Sequence, residues 1–238
     1  MTKVKPKKEK SPLRPVLIGM PAFDMMHTVT CRSLIGLAKE NGTPHSFAIG
    51  SLVADARNRI VDDAFRMGVE RILFVDSDMV FEPDMLYRMQ ACMTATGADV
   101  VCGIMTTRKH PIQPVIYKSL SWEEDENGFL KINKETYLDY PVDSVFEIAA
   151  CGFGACLVTV DICKKIMGNY GAPFTPLPGL GEDLTFCIKA REAGGKIICD
   201  SRIKVGHMGQ ALYDELSYQN YSRLVAAAEA EEGKADDS

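Results

Sequence analysis

The sequence predicts an α/β fold, with a mostly parallel central sheet and helices on both faces. Three observations carry that expectation. Short apolar runs alternate with amphipathic stretches from residue 15 to residue 104, which is the strand–helix rhythm of a parallel sheet. The run Arg71–Val75 (RILFV) is apolar at almost every position, as a strand covered on both faces must be. Gly42 and Gly68 close two of the helical stretches, where a left-handed residue can end a helix.

The elements follow in order. Pro15–Met20 (PVLIGM) is a strand that ends at the turn-forming Pro21. Thr28–Asn41 reads as a helix with Leu34, Leu37 and Ala38 on one side. Ser46–Gly50 is a second strand and Ser51–Gly68 a second helix. After Arg71–Val75, a helix over Pro83–Thr96 has proline at its first position, where the missing N–H costs nothing. Asp99–Ile104 is the fourth strand. Residues 106–150 break the rhythm with Pro111, Pro114 and Pro141, the acidic run Glu123–Glu126 and an Asn127–Gly128 turn. They predict a β-rich or loop insert. Strand Gly154–Val160, a short helix over Asp161–Met167, and a Gly/Pro-rich loop over residues 168–181 come next. A helix over Glu182–Ala193, a strand over Lys196–Cys199 and a terminal helix over Ala211–Ala230 complete the chain. The expected organisation is a basic arm at 1–14, a folded domain at 15–210 and a C-terminal helix with an acidic tail at 211–238.

Composition narrows the function classes. The 238 residues carry a net charge of −5, with five lysines and one arginine against one glutamate in residues 1–14. An acidic body with a basic arm is a poor footprint for a dedicated nucleic-acid binder, although a nucleic-acid acceptor stays open. No apolar run is long enough to span a membrane, and none follows the charged N-terminus as a secretory signal would require. None of the eight cysteines forms a C-x-x-C pair, and most lie inside apolar runs. They read as reduced core residues of a cytoplasmic protein. The absence of G-x-x-x-x-G-K-[ST] excludes a P-loop NTPase.

Five features can carry chemistry. Asp76-Ser77-Asp78 stands at the carboxyl end of the RILFV strand, where open α/β sheets bind ligands. Two carboxylates two residues apart repel, and a hard divalent cation such as Mg²⁺ or Mn²⁺ relieves the repulsion. Glu182 and Asp183 open a helix just after the Gly/Pro loop. They suit the helix dipole, and one of them could serve as a general base. The loop before them could act as a lid. His207, between Gly206 and Gly209, reads as a turn residue and a further metal ligand. Arg57 falls within the apolar arc Leu52, Val53, Ala56, Ile60, Val61 and Ala64 of its helix. A charge there either snorkels past its neighbours, pairs with an internal acid such as Asp78, or reaches a phosphate or a nucleotide ring. Gly152 and Gly154, in GFGA, either form a bulge or let backbone approach a bound sugar.

Taken together, the order VDSD, GFGA, Gly/Pro loop, GEDLTFCIKAREAGGKI and GHMG resembles the GT-A class of nucleotide-sugar glycosyltransferases. It is most similar to the family-2-like enzymes of bacteria and phages. The resemblance spans about residues 15–210 and is densest over ADARNRIVDDAFRMGVERILFVDSDMVFEPDML. It implies a GT-A fold, a nucleoside-diphosphate-sugar donor and bound Mn²⁺ or Mg²⁺. It implies that Asp78, His207 and Asp76 hold the metal, with Asp76 nearer the ribose and donor sugar, and that Ser77 also lies against the nucleotide sugar. It places Pro21, Ala22, Phe23 and Asp24 by the nucleotide base and Arg57 near the base or diphosphate. It makes Glu182 and Asp183 the E-D pair, with Asp183 as the base in an inverting enzyme. No Q-x-x-R-W motif follows, so the match to processive polysaccharide synthases is poor. The acceptor is expected to be soluble or polymeric. Two other readings stand beside this one. Asp76-Ser77-Asp78-Met79-Val80 also fits the D-x-D-x-[TV] nucleophile motif of haloacid-dehalogenase-type phosphatases, and a non-catalytic nucleotide-sugar-binding module needs the same residues.

Overall fold

The computed structural model describes residues 15–50, 52–124, 126, 130–209 and 212–236. The basic arm, the Asn127–Gly128 turn and the last two residues of the acidic tail lie outside them. The elements in chain order are β1 (Val16–Ala22), α1 (Thr28–Gly36), β2 (His45–Ile49), α2 (Val53–Met67), β3 (Arg71–Val75), β4 (Met79–Phe81) and α3 (Met85–Thr96). There follow β5 (Val100–Ile104), β6 (Ile116–Glu124), β7 (Leu130–Thr136), β8 (Val145–Glu147), β9 (Ala150–Cys151) and β10 (Ala155–Thr159). The chain ends with α4 (Val160–Tyr170), α5 (Glu182–Glu192), β11 (Ile197–Met208), β12 (Leu212–Tyr213) and α6 (Glu215–Asp236).

The main sheet runs in the order β12-β11-β5-β10-β3-β1-β2, with β4 and β8 also paired to β11. β1 is parallel to both β2 and β3, and β5 is parallel to β11. β10 enters antiparallel between β3 and β5. β2, β1, β3, β5 and β11 thus run one way, so the central sheet is mostly parallel, as expected, while β10 and the short strands β4, β8 and β12 run against them. Alternating strand residues feed two cores. Leu17, Ile72 and Phe74 face α2, α4 and α5 with Ile60, Ile162 and Phe186. Ile18, Leu73 and Val75 face α1 and α3 with Leu34 and Met89. The predicted β-rich insert is the small sheet β7-β6-β9 together with β8.

Four expectations need correction. The first helix ends at Gly36, not Asn41. Leu37 turns to extended backbone (ψ 119°) and is buried, while the Ala38 N–H donates to Pro83 O at 2.8 Å. Burial of Leu37 and a low-propensity glycine outweigh one further helical turn. The strand expected to end at Cys199 continues to Met208 through a register shift between Cys199 and Lys204. His207 therefore sits within β11, paired with Met79 of β4 and Tyr213 of β12, and is not a turn residue. The terminal helix starts at Glu215 rather than Ala211, because Leu212 and Tyr213 pair with β11. Finally, the Gly/Pro loop is anchored to the core. Phe174 is fully buried, stacked on Phe186 at 4.6 Å, and Lys189 Nζ donates to the carbonyls of Ala172 and Thr175.

Candidate active site

The site forms at the carboxyl ends of β1 and β3. β3 carries the chain to Asp76, whose N–H still donates to Gly154 O at 2.8 Å, one rung beyond the Val75–Ala155 pair with β10. The Ser77 carbonyl accepts from His27 N–H (3.0 Å) and the Asp78 carbonyl from Met208 N–H (2.8 Å). Backbone from three distant segments thus fixes the Asp76–Asp78 turn.

The two aspartates face different partners. Asp76 receives Arg57 Nη2 on both oxygens, at 2.8 and 3.1 Å. Arg57 Nη1 pairs with Glu182, and Nη2 lies 3.5 Å from the Phe153 carbonyl. The guanidinium sits against the Phe153 and Phe174 rings, 5.7 and 6.0 Å from their centroids. Its 3% exposure is tolerable because two carboxylates flank it. The internal partner of Arg57 is therefore Asp76 together with Glu182, not Asp78. Its Nε is buried with no hydrogen-bond partner among the described residues.

Asp78 meets His207 instead. Its Oδ2 stands 3.3 Å from His207 Nε2 and also accepts from Arg108 Nη1. His207 Nδ1 lies 2.9 Å from Thr106 O. A carbonyl only accepts, so Nδ1 carries the hydrogen, and the Nε2 lone pair of the neutral ring points at the carboxylate. Two electron-rich groups face to face want a proton or a cation between them. The same arrangement, with the outer ring nitrogen donating to a backbone carbonyl, orients metal-binding histidines. Burial pushes the Asp78 carboxyl up, but the bond and charge of His207 and the charge of Arg108 hold it below the ordinary carboxylate value. Burial opposes charging of His207, but Asp78 and the Thr106 carbonyl raise it above the usual imidazole value. Among the described residues no group of three or more His, Cys, Asp or Glu has metal-holding geometry. Asp78 and His207 form a two-donor set of oxygen and nitrogen, a chemistry that suits Mn²⁺ when ligand oxygens and water complete the shell.

Glu182 and Asp183 occupy the first turn of α5, where the helix dipole favours acids. Asp183 Oδ1 accepts from Leu184 N–H at 2.7 Å. Burial raises its carboxyl above the ordinary value, against the pull of the Arg57 charge. The Asp183 charge in turn contributes to raising Tyr117 of β6, whose largest cause is burial.

Two clefts open beside the turn. One, of about 370 Å³, is lined by Pro21, Ala22, Leu52, Asp76, Ser77 and Asp78. The other, of about 450 Å³, is lined by Asp24, His27, Thr28, Asp78 and Arg108. Arg57 lines neither cleft. Gly152 and Gly154 meet protein side chains: a Cβ would stand 2.7 Å from Val115 Cγ1 at Gly152 and 2.3 Å from Met105 Sδ at Gly154. Sequence reasoning missed Arg108 and Thr106. The basic run Arg108-Lys109-His110 was the available signal.

No protein-family model matches the chain, and no curated protein matches it. Solved structures do. The A197 protein from STIV aligns at a TM-score of 0.57 and 19% identity, over 82% of this chain and 85% of that one. GalNAc-T7, solved with UDP, GalNAc and Mn²⁺, aligns at a TM-score of 0.54 and 12% identity. That alignment covers 83% of this chain but only 43% of GalNAc-T7. At these identities the likeness speaks to architecture, and the chain has the mixed α/β, mostly parallel fold of GT-A glycosyltransferases.

Proposed function

We propose that this protein is a cytoplasmic, divalent-cation-dependent glycosyltransferase that moves a sugar from a nucleoside-diphosphate sugar to an acceptor hydroxyl. The observation that carries this reading is the meeting of Asp78, in the turn after β3, with His207 of β11, far apart in sequence, at 3.3 Å beside an open cleft at the sheet's carboxyl edge. The GT-A-like fold and the company of UDP, GalNAc and Mn²⁺ in GalNAc-T7 point the same way. Asp78 Oδ2 and His207 Nε2 would hold Mn²⁺ or Mg²⁺, which supplies Lewis-acid neutralisation of the leaving diphosphate. His207 is held in the ligand tautomer by Thr106. The apolar wall of Pro21, Ala22 and Leu52 offers a surface for the nucleotide base. Asp183 takes the acceptor proton, and its raised carboxyl makes it a better base than an ordinary aspartate. Arg57 acts as a positioning residue, tying the Asp76 turn to the first turn of α5. The acceptor is soluble or polymeric. Among the described residues no helix is long and apolar enough to cross a membrane.

The phosphatase alternative needs Asp76 as a free nucleophile, and both its oxygens accept from Arg57. A thermal-shift screen of nucleoside diphosphates and their sugars, with and without Mn²⁺, tests the proposal. A metal-dependent shift that disappears in Asp78→Ala supports it. No metal-dependent shift with any diphosphate defeats it. Binding without turnover on any acceptor identifies a binding module instead.

A further inference from the structure

The loop that leaves β5 carries a cation that the chemistry above leaves unused. Arg108 Nη1 donates to Asp78 Oδ2, the oxygen that also faces His207 Nε2. Asp78 is 15% exposed and Arg108 54%, so the arm reaches in from solvent and ends on the carboxylate. Its stem passes over Gly209, where a Cβ would stand 3.4 Å from Arg108 Cβ. Two residues earlier, Thr106 O fixes His207 at 2.9 Å. Thr107 Oγ1 ties the loop, lying 3.1 Å from Lys109 O and 3.0 Å from Pro111 O while accepting from Gln113 N–H. One short segment therefore orients the imidazole and neutralises the carboxylate beside it.

A guanidinium and a divalent cation on the same carboxylate oxygen repel each other, so the two compete for Asp78. We propose that Arg108 is a displaceable counter-ion. It neutralises Asp78 in the ligand-free protein, yields that oxygen to the divalent cation, and then grips the donor's diphosphate. The inference rests on the glycosyltransferase reading and deepens it by naming the residue that couples metal to donor. Arg108 lines the same cleft as Ser77 and Asp78, so a modest swing of an exposed side chain keeps it beside the site. Its planar fork suits phosphate oxygens, which accept two parallel N–H bonds. Asp78 already offsets part of the cation's charge, and the diphosphate gains negative charge as the sugar departs, so the released arginine supplies the remainder. Metal alone must then displace the arm without compensation, so metal and diphosphate bind cooperatively.

The test uses the full chain. Mn²⁺ alone is titrated by electron paramagnetic resonance, and UDP, GDP and ADP are then titrated calorimetrically at saturating Mn²⁺. Arg108→Gln is expected to bind Mn²⁺ alone about tenfold more tightly, yet the preferred diphosphate about tenfold more weakly, because a competing charge and a charge-assisted bond are lost together. Arg108→Lys restores the weak Mn²⁺ binding but only part of the diphosphate affinity, since an ammonium lacks the fork. Opposite signs in the two titrations support the proposal. Affinities that move together, or not at all, overturn it while leaving the glycosyltransferase reading intact. If the wild-type protein binds no diphosphate in Mn²⁺, that reading and this inference fall together. Melting curves of both variants exclude a folding defect as the cause.

Discussion

Arg57 must be neutralised where it stands, and Asp76 and Glu182 share that task. Removing it strands two carboxylates beside a ring cluster. Arg57→Met is expected to lower unfolding free energy by about 3 kcal/mol, read from urea melts. Asp183 shows the opposite balance. Burial penalises its charge, so its folded carboxyl titrates above the ordinary value. Its stabilising contribution is present below the unfolded pKa and is lost as pH rises through the folded one. Asp183→Asn therefore keeps or raises the melting temperature at neutral pH while turnover falls by about a hundredfold or more. The acidic limb of the wild-type rate profile should lie above the ordinary aspartate value of about 4, since the base must lose its proton. Much of this was legible in the sequence. A carboxylate pair after a buried strand and a glycine-flanked histidine pointed to residues that the fold brings together, and the helical wheel marked Arg57 as misplaced. The wheel could not name its partners, because ion pairing across the fold leaves no periodic trace. Arg108 sits in a loop, where no period exists to make a residue stand out.

At the level of elements, strands covered on both faces were the clearest. Arg71–Val75 has the same bounds in sequence and structure because the four apolar positions after Arg71 have one good environment. β4 and β12, of three and two residues, are too short to show alternation, and their pairing with β11 depends on chain folding back from elsewhere. The terminal boundary of α1 was lost for a similar reason, since Leu37 satisfies a helix pattern and a core contact equally well. The tight pairing of β5 with β11 has a direct consequence. A Cβ at Gly103 would stand 2.6 Å from the Ile203 carbonyl, a backbone atom that cannot swing aside. Gly103→Ala is expected to cost about 2 kcal/mol, measured by denaturant unfolding.

Across the whole molecule, the two cores absorb nearly all the thiols. Seven of the eight cysteines are buried and only Cys31 is exposed. An Ellman titration of the native protein should find one fast-reacting thiol, and all eight after denaturation. The long strand β11 has a further consequence. Its irregularity lies between Cys199 and Lys204, whereas from Val205 to His207 it keeps strict antiparallel register with Phe81 to Met79. That stretch works like a caliper whose jaws are Asp78 and His207. An extra residue inserted within the kink, between Cys199 and Lys204, can be taken up as slack. One inserted after it would turn the imidazole to the opposite face of the ribbon and leave the carboxylate without its companion. Tolerance to length change along β11 should therefore drop abruptly at Lys204, a boundary that insertion scanning would reveal without any substrate in hand.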